Sequence, residues 1–548
     1  MPSNLSHPNF ATSARIVDLL DDLTQSAGHL SEWLGVLLNE YRQTGEWDKF
    51  SGSVDAAYQR IQSMLGPAPD IVLRPFTIGP AAIPALLAYV SGQVNTVLMD
   101  RDLYHISQLP VQNTEQLAAA LTSQFLTVGQ PKRETQWPRM LPAMLSGRAL
   151  LFMEGVPEAW VLDTAQPPAA SISPSVAEPS LKGPQEAFSS VLETQMDQLR
   201  RRIPDPGMQF ELFTIGTQTH TKVLLIHMAG VANPAIVGAV KSRLKGIRRA
   251  AVHTSNDIAE YLGPQRWTIF PQVRFSDRVD LVARNLCDGK VAVLTANDPT
   301  ALILPNTLMD FFQTTQDYAL PWSYATLTRT SRFVGLAIGL FLMPLYIALS
   351  SVNADLFPVQ LLLTAAGSRL GIPFPPITEV IIMWGILEIL IEAANRLPQQ
   401  MATTIGIIGA VVVGTAIVKA GLIDSIMIVV ATLSALSLFT IPALELAATM
   451  RWLFWLFVVS SSIFGVFGLL VMIIIVLAHL ATMENYGVPY LSPFGPLRIA
   501  DLKDSLIRFP MPRLRKRPIF LRTIDPGASD PLRVKPKTRL LRRQREVR

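Results

Sequence analysis

A change of texture after Arg332 constrains this chain more than any other feature: from there to Leu480 it is dominated by long apolar stretches. Four of them, 332–350, 402–420, 425–446 and 452–480, meet the requirement of about 20 apolar residues for a helix crossing about 30 Å of hydrocarbon. A fifth, 377–394, is apolar but carries Glu379, Glu388 and Glu392, and residues 356–376 ahead of it are broken by Pro358, Gly371, Pro373, Pro375 and Pro376. The expectation is an α-helical multi-span membrane domain over 321–485, with four full spans plus a membrane hairpin or interfacial segment at 356–395. Composition agrees: the chain is 49% hydrophobic and only 16% charged, with a mean hydropathy of +0.31.

Charge orients these spans. Arg329 and Arg332 flank the first, and residues 498–548 carry 16 Lys and Arg against 5 Asp and Glu. Basic residues mark the cytoplasmic side, so both ends are expected there and the number of crossings is even, four or six. A Pro-rich basic segment of this kind, 486–548, suits anionic lipid headgroups better than nucleic acid. The opening MPSNLSHPNF has neither a basic nor an apolar signal region, so the first 320 residues are expected to stay in the cytosol.

Those residues have α/β character, with short apolar runs alternating with amphipathic stretches. Residues 1–50 are expected to form a helical leader. Two subdomains, 51–164 and 185–320, then flank a linker at 165–184 whose AQPPAASISPSVAEPSLKGP composition cannot bury a core. The subdomains resemble each other. Phe76-Thr77-Ile78-Gly79 returns as Phe213-Thr214-Ile215-Gly216, 137 residues on. The Gly-basic pairs Gly147-Arg148 and Gly289-Lys290 open later strands, 142 residues apart. Matched order in four elements implies two tandem duplicated subdomains, with Gly79 and Gly216 ending turns and not cradling phosphate. A helix is expected from Gln185 to Ile203, stopped by Pro204.

Chemistry-bearing patterns are missing. No GxxxxGK[ST] loop, HExxH pair, GxSxG elbow or GxGxxG turn occurs, and the seven histidines have no ligand spacing. The single cysteine, Cys287, excludes an intrachain disulfide and a cysteine-only metal site, and its apolar neighbours suggest burial. No enzyme activity, cofactor or metal is expected. The candidate functional residues lie in the apolar half. Glu388 and Glu392 share a helical face while Glu379 is about 180° away. They either face water at the interface or line a cation path. Gly406, Ala410 and Gly414 form a small-residue stripe for helix packing. The neighbouring stripe of Ile408, Val412, Thr415 and Lys419 could make a constriction if several copies surrounded an axis, so Ile408, Val412 and Thr415 join the two glutamates as candidate pore-lining residues. Lys419 and Glu445 stand near span ends, where snorkelling accounts for them.

Several motifs resemble the GerA spore-germination family. Leu199-Arg200-Arg201-Arg202-Ile203-Pro204-Asp205-Pro206, Gly230-Val231-Ala232-Asn233-Pro234 and Phe270-Pro271-Gln272-Val273 follow in family order. Next come Asp310-Phe311-Phe312-Gln313, Asp317-Tyr318, Gly371-Ile372-Pro373-Phe374-Pro375 and Gly487-Val488-Pro489-Tyr490. Asp501-Leu502-Lys503-Asp504 and Arg508-Phe509-Pro510 complete the set. Ala187 stands where this family usually has Gly, and Gln195 where it usually has Asn. The resemblance implies an A-type germinant-receptor subunit of the spore inner membrane, a homo-oligomer opening to monovalent cations beside a transporter-like B subunit and a lipoprotein C subunit. A stage-V-sporulation paralogue amplifying ion release is the alternative, and a secondary transporter a more distant one, since the spans show no inverted repeat.

Overall fold

The computed structural model describes residues 49–66, 68–108, 116, 131–165, 174–175, 177–180, 182–396 and 415–527. The chain forms two compact units, one of residues 1–169 with 204–206 and one of 170–203 with 207–548. In the first, helix α1 (Val54–Leu65) leads into strands β1 (Ile71–Ile78) and β2 (Ile83–Val90). Helix α2 (Thr96–Ser107), strand β3 (Lys132–Glu134), helix α3 (Trp137–Leu145) and strands β4 (Ala149–Met153) and β5 (Ala159–Leu162) follow. The strands make one antiparallel sheet in the order β1-β2-β4-β5-β3. Side chains alternate across it: Leu86, Ala88 and Val90 of β2 pack under α1 and α3, while Ala85, Leu87 and Tyr89 pack under α2 through Met99 and Ile106. Covering both faces is why β2 and β4 are apolar runs and not alternating ones.

The second unit builds its sheet the same way. Helix α4 (Leu192–Arg202) precedes β6 (Met208–Ile215) and β7 (Thr221–Met228). Helices α5 (Pro234–Gly246) and α6 (Ser255–Leu262), strand β8 (Arg274–Ser276), helix α7 (Val279–Cys287) and strands β9 (Val291–Thr295) and β10 (Ala301–Leu304) complete it. The order β6-β7-β9-β10-β8 matches that of the first sheet strand for strand. Asn95 caps α2 and Asn233 caps α5, each accepting a backbone N–H one turn in. Both FTIG segments end in a turn glycine with positive φ, 66° at Gly79 and 90° at Gly216. The helix expected from Gln185 starts only at Leu192, because Ala187 pairs with Arg278 and Phe188 N–H donates to Asp277 O at 2.7 Å. Gln195 is fully buried and donates to Ser189 O and Asp298 O. Cys287, expected to be buried, is exposed at the end of α7, since the apolar side of that helix is carried by Val279, Val282 and Leu286.

Helix α8 (Trp322–Ile347) continues through a π-turn to Val352. Helices α9 (Val359–Ser368), α10 (Pro376–Arg396), α11 (Ser425–Leu438) and α12 (Leu444–Thr482) come next. Residues 322–352 and 444–482 are long and apolar enough to cross a membrane. The stretch 425–446, expected as one span, is two elements: α11 ends at Leu438 and Pro442 stands in the break before α12.

The 39-residue α12 is not a rod. Gly465 has φ 62° and ψ −143°, outside any helical region. Thr449 Oγ1 donates to Ile269 O at 2.7 Å, and His479 Nε2 lies 3.1 Å from the hydroxyl of the adjacent Thr268. A straight helix would separate positions 449 and 479 by about 45 Å. Ser460 Oγ reaches Gly468 O at 2.7 Å, where a straight helix would need about 12 Å. The element is therefore a hairpin, with legs 444–464 and 466–482 of about 30 and 25 Å and its tip at Gly465. At the tip Asn353 Oδ1 accepts Val466 N–H at 2.9 Å, serving as the missing cap of the second leg.

Helix α8 packs antiparallel to α11, and α10 packs antiparallel to the first leg of α12. Gly335 and Gly339 of α8 meet Thr440 and Leu438, while Tyr346 near its other end donates to Asp424 at the start of α11. Trp384 of α10 stacks on Phe454 with ring centroids 3.9 Å apart, and Glu388 one turn on pairs with Arg451.

Candidate functional site

Of the predicted pore residues, Glu388, Glu392 and Thr415 are among the described ones. Gly406, Ile408, Ala410, Val412 and Gly414 lie outside the described residues, and Thr415 is exposed at the edge of the described segment. Glu388 pairs with Arg451 at 3.2 Å and Glu392 with Arg396 at 2.6 Å, all four side chains being more than a third exposed. Glu379 is the buried one of the three. It accepts Asp424 N–H at 2.8 Å and pairs with Arg369 at 3.2 Å, so Arg369, Asp424 and Tyr346 form a closed polar cluster that period alone did not reveal. Lys419 is exposed. Glu445 does not snorkel to water; it accepts Phe275 N–H at 3.1 Å.

A larger network lies where α8 leaves the second sheet unit. Arg329 is fully buried. Its Nε donates to Asp317 at 3.0 Å, and its Nη1 to the carboxylate and the carbonyl oxygen of Asp504. Arg332, one turn along α8, holds both oxygens of Asp317 at 2.9 Å. Burial raises the Asp317 carboxyl, but the hydrogen bonds and charge of Arg332 with the charge of Arg329 outweigh it and hold it below the usual carboxylate range. Tyr318 donates to Asp504 at 2.9 Å. Its ring is covered by the Arg284 guanidinium of α7 and approached by Arg329 and Arg508 at 5.2 and 5.3 Å. Burial and the Asp504 charge push the Tyr318 hydroxyl far above its ordinary value, so it stays a donor. Arg508 donates to Leu320 O. One network thus fastens α7, the segment 313–320, helix α8 and the chain at 504–508.

Beside this network is a cavity of about 440 Å³ lined by Arg284, Asp288, Lys290, Tyr318 and Asp504 among others. Several of its charges are mutually engaged: Lys290 pairs with Asp310 at 2.8 Å and Arg284 with Asp288 and Asp504. Among the described residues, no group of His, Cys, Asp and Glu is placed to hold a metal ion. Asp317, Tyr318, Asp504 and Arg508 all belong to motifs legible in the sequence, but their meeting point is not, because Arg329 and Asp504 lie 175 positions apart.

The architecture defines a class: chains in which a pair of α/β sheet units precedes an apolar helical region, the second unit being locked to its first helix by buried ion pairs. The chain belongs to the family described as Bacillus/Clostridium GerA spore germination protein, whose model matches residues 59–520. It is 31% identical to spore germination protein KA of Bacillus subtilis over 83% of this chain and 84% of that protein. It is 28% identical to spore germination protein GerLA of Bacillus cereus over 88% and 98%. An uncharacterized membrane protein of Bacillus subtilis, YfkQ, is 32% identical over 82% and 87%. The crystal structure of the N-terminal domain of the A subunit of the Bacillus megaterium spore germinant receptor GerK3 is 24% identical. It aligns with a TM-score of 0.35 over 46% of this chain and 95% of that domain.

Proposed function

We propose that this chain is an A-type subunit of a nutrient germinant receptor in the spore inner membrane, forming with further copies a gated path for monovalent cations. The transporter-like B and lipoprotein C subunits are its expected partners, and the basic tail meets anionic headgroups. The sheet units lie on the cytoplasmic side. Counting α8, α10, α11, the two legs of α12 and the apolar run 402–420 yields six crossings, an even number that keeps the sheet units and the basic tail together. The shared strand order of the two sheets supports an origin by duplication.

The observation that carries the reading is the Arg329 network. A receptor subunit has to transmit a change between its soluble and apolar parts, and a junction built on the buried Arg329–Asp317 pair moves as a unit or breaks as one. The run 402–420 is the proposed pore wall, with Ile408, Val412 and Thr415 as its candidate lining.

The test is potassium efflux from liposomes holding the full-length chain. Val412→Trp is expected to block and Val412→Gly to leak. Efflux unchanged by both substitutions would remove this helix from the path, and an electrically silent, substrate-coupled flux would favour a transporter instead.

A further inference from the structure

Trp267 is 99% exposed, although nothing about its loop is loose. Gln265 N–H donates to Gln272 Oε1 at 2.9 Å and Gln272 Nε2 donates back to Gln265 O at 2.6 Å, closing the base of the loop. Beyond Trp267, the hydroxyl of Thr268 contacts His479 of the second α12 leg, and the carbonyl of Ile269 takes the Thr449 hydroxyl of the first. Tyr490 OH fixes Pro271 O at 2.7 Å. The backbone is thus held on both sides of Trp267, and the ring stands outward.

The position of this loop matters as much as its exposure. It is bonded to the two hairpin legs toward their ends away from Gly465. On the first leg the exposed apolar residues include Trp452, 69% exposed and about one turn from Thr449, with Ile463 and Phe464 farther along. On the second leg they include Leu477, 52% exposed, and Ile474, 64% exposed. Trp267 stands exposed in the loop that bonds both legs beside these residues. Its neighbour Arg266 is also exposed and Ile269 is 44% exposed. An indole has an apolar body and one N–H donor, which suits the headgroup layer better than either water or hydrocarbon, and an adjacent guanidinium matches lipid phosphate.

We propose that the loop 264–270 is a membrane-surface anchor: Trp267 enters the headgroup layer, Arg266 meets phosphate, and the second sheet unit is thereby held against the bilayer at the foot of the α12 hairpin. This rests on the reading of the apolar helices as membrane-crossing.

The experiment uses the full-length chain with Cys287→Ser. A single environment-sensitive fluorophore is attached at Trp267→Cys or, separately, at Phe467→Cys on the outward face of the hairpin. Each protein is reconstituted into phosphatidylglycerol–phosphatidylethanolamine vesicles with and without lipids brominated near the headgroup end of the acyl chain. The expected result is a blue-shifted emission at position 267 that the brominated lipid quenches, as it quenches position 467. Quenching at 467 with a water-like, unquenched signal at 267 overturns the anchor and leaves the crossings standing. A blue shift at 267 without bromine quenching means protein, such as a second copy, covers the ring, and also overturns it. Quenching at neither position removes the anchor and the membrane reading together.

Discussion

Arg329 and Arg451 both pair with carboxylates, but their surroundings give them different weights. Arg329 is buried with Asp317, each about 1% exposed, whereas Arg451 and Glu388 are 37% and 49% exposed. Arg329→Gln strips a buried network of a charge and is expected to cost about 3–5 kcal/mol, read as a lowered midpoint of chemical unfolding in detergent. Arg451→Gln should cost no more than about 1 kcal/mol. Equal losses in the two variants would mean that the network is not a fastening. His227 supplies a pH dependence. It is 8% exposed in β7, and burial lowers its pKa from 6.5, with Glu211 opposing and Lys241 adding to the effect. Below about pH 6.5 the unfolded chain then binds a proton that the folded chain refuses, so stability is full above that value and declines as the pH falls through the folded pKa. Unfolding midpoints measured on either side of that value should show the decline, and His227→Gln should flatten it. Asp317 has the acidic counterpart: its contribution is complete above its unfolded value of about 3.8 and disappears as the pH falls through the depressed folded one.

At the scale of elements, the hairpin in α12 makes the sharpest claim. Spin labels at Trp452 and Ile475, both on outward faces, would be about 35 Å apart on a straight helix. Side-by-side legs are about 10 Å apart axis to axis. Double electron–electron resonance in lipid should therefore return a label separation well below the straight-helix value, and a distribution centred near that value would unmake the hairpin. Gly465→Ala should broaden the distribution and lower stability, because its φ of 62° is unfavourable for any L side chain and an added Cβ would collide with Asn353. The contact of α8 with α11 has a similar device. Gly339 leaves room for Leu438, which an added Cβ would approach to 2.7 Å. The small-residue stripe that mattered among the described helices was thus Gly335 and Gly339, one turn apart.

At the scale of the whole molecule, the C-terminal region has two separable parts. Ending the chain after residue 527 removes the most basic run while keeping Asp504 and Arg508, and should weaken binding to anionic vesicles without shifting the unfolding midpoint. Ending it after residue 497 removes both side chains from the network, leaving Arg329 and Tyr318 without Asp504. That truncation should lower the midpoint and open the segment 313–322 to protease. Equal behaviour of the two truncations, measured by vesicle co-sedimentation and limited proteolysis, would show that the clasp at 504–508 contributes nothing.

Local pattern was enough for much of this protein. The apolar runs of β2 and β7, the FTIG turns with their glycines and the apolar length of α8 are visible along the chain, because each depends on neighbours within a few residues. The double sheet and the apolar second half were therefore legible from sequence alone, and so were the motifs that mark the family. The tertiary structure alone decided where α12 reverses, which glutamate is buried and what the arginines in the first half of α8 hold. The reason is separation: Asn353 caps a leg that begins 113 residues later, and Arg329 finds Asp504 across 175 residues. A glycine between Phe464 and Val466, or an arginine ahead of an apolar run, acquires its role only from the distant groups that folding brings against it.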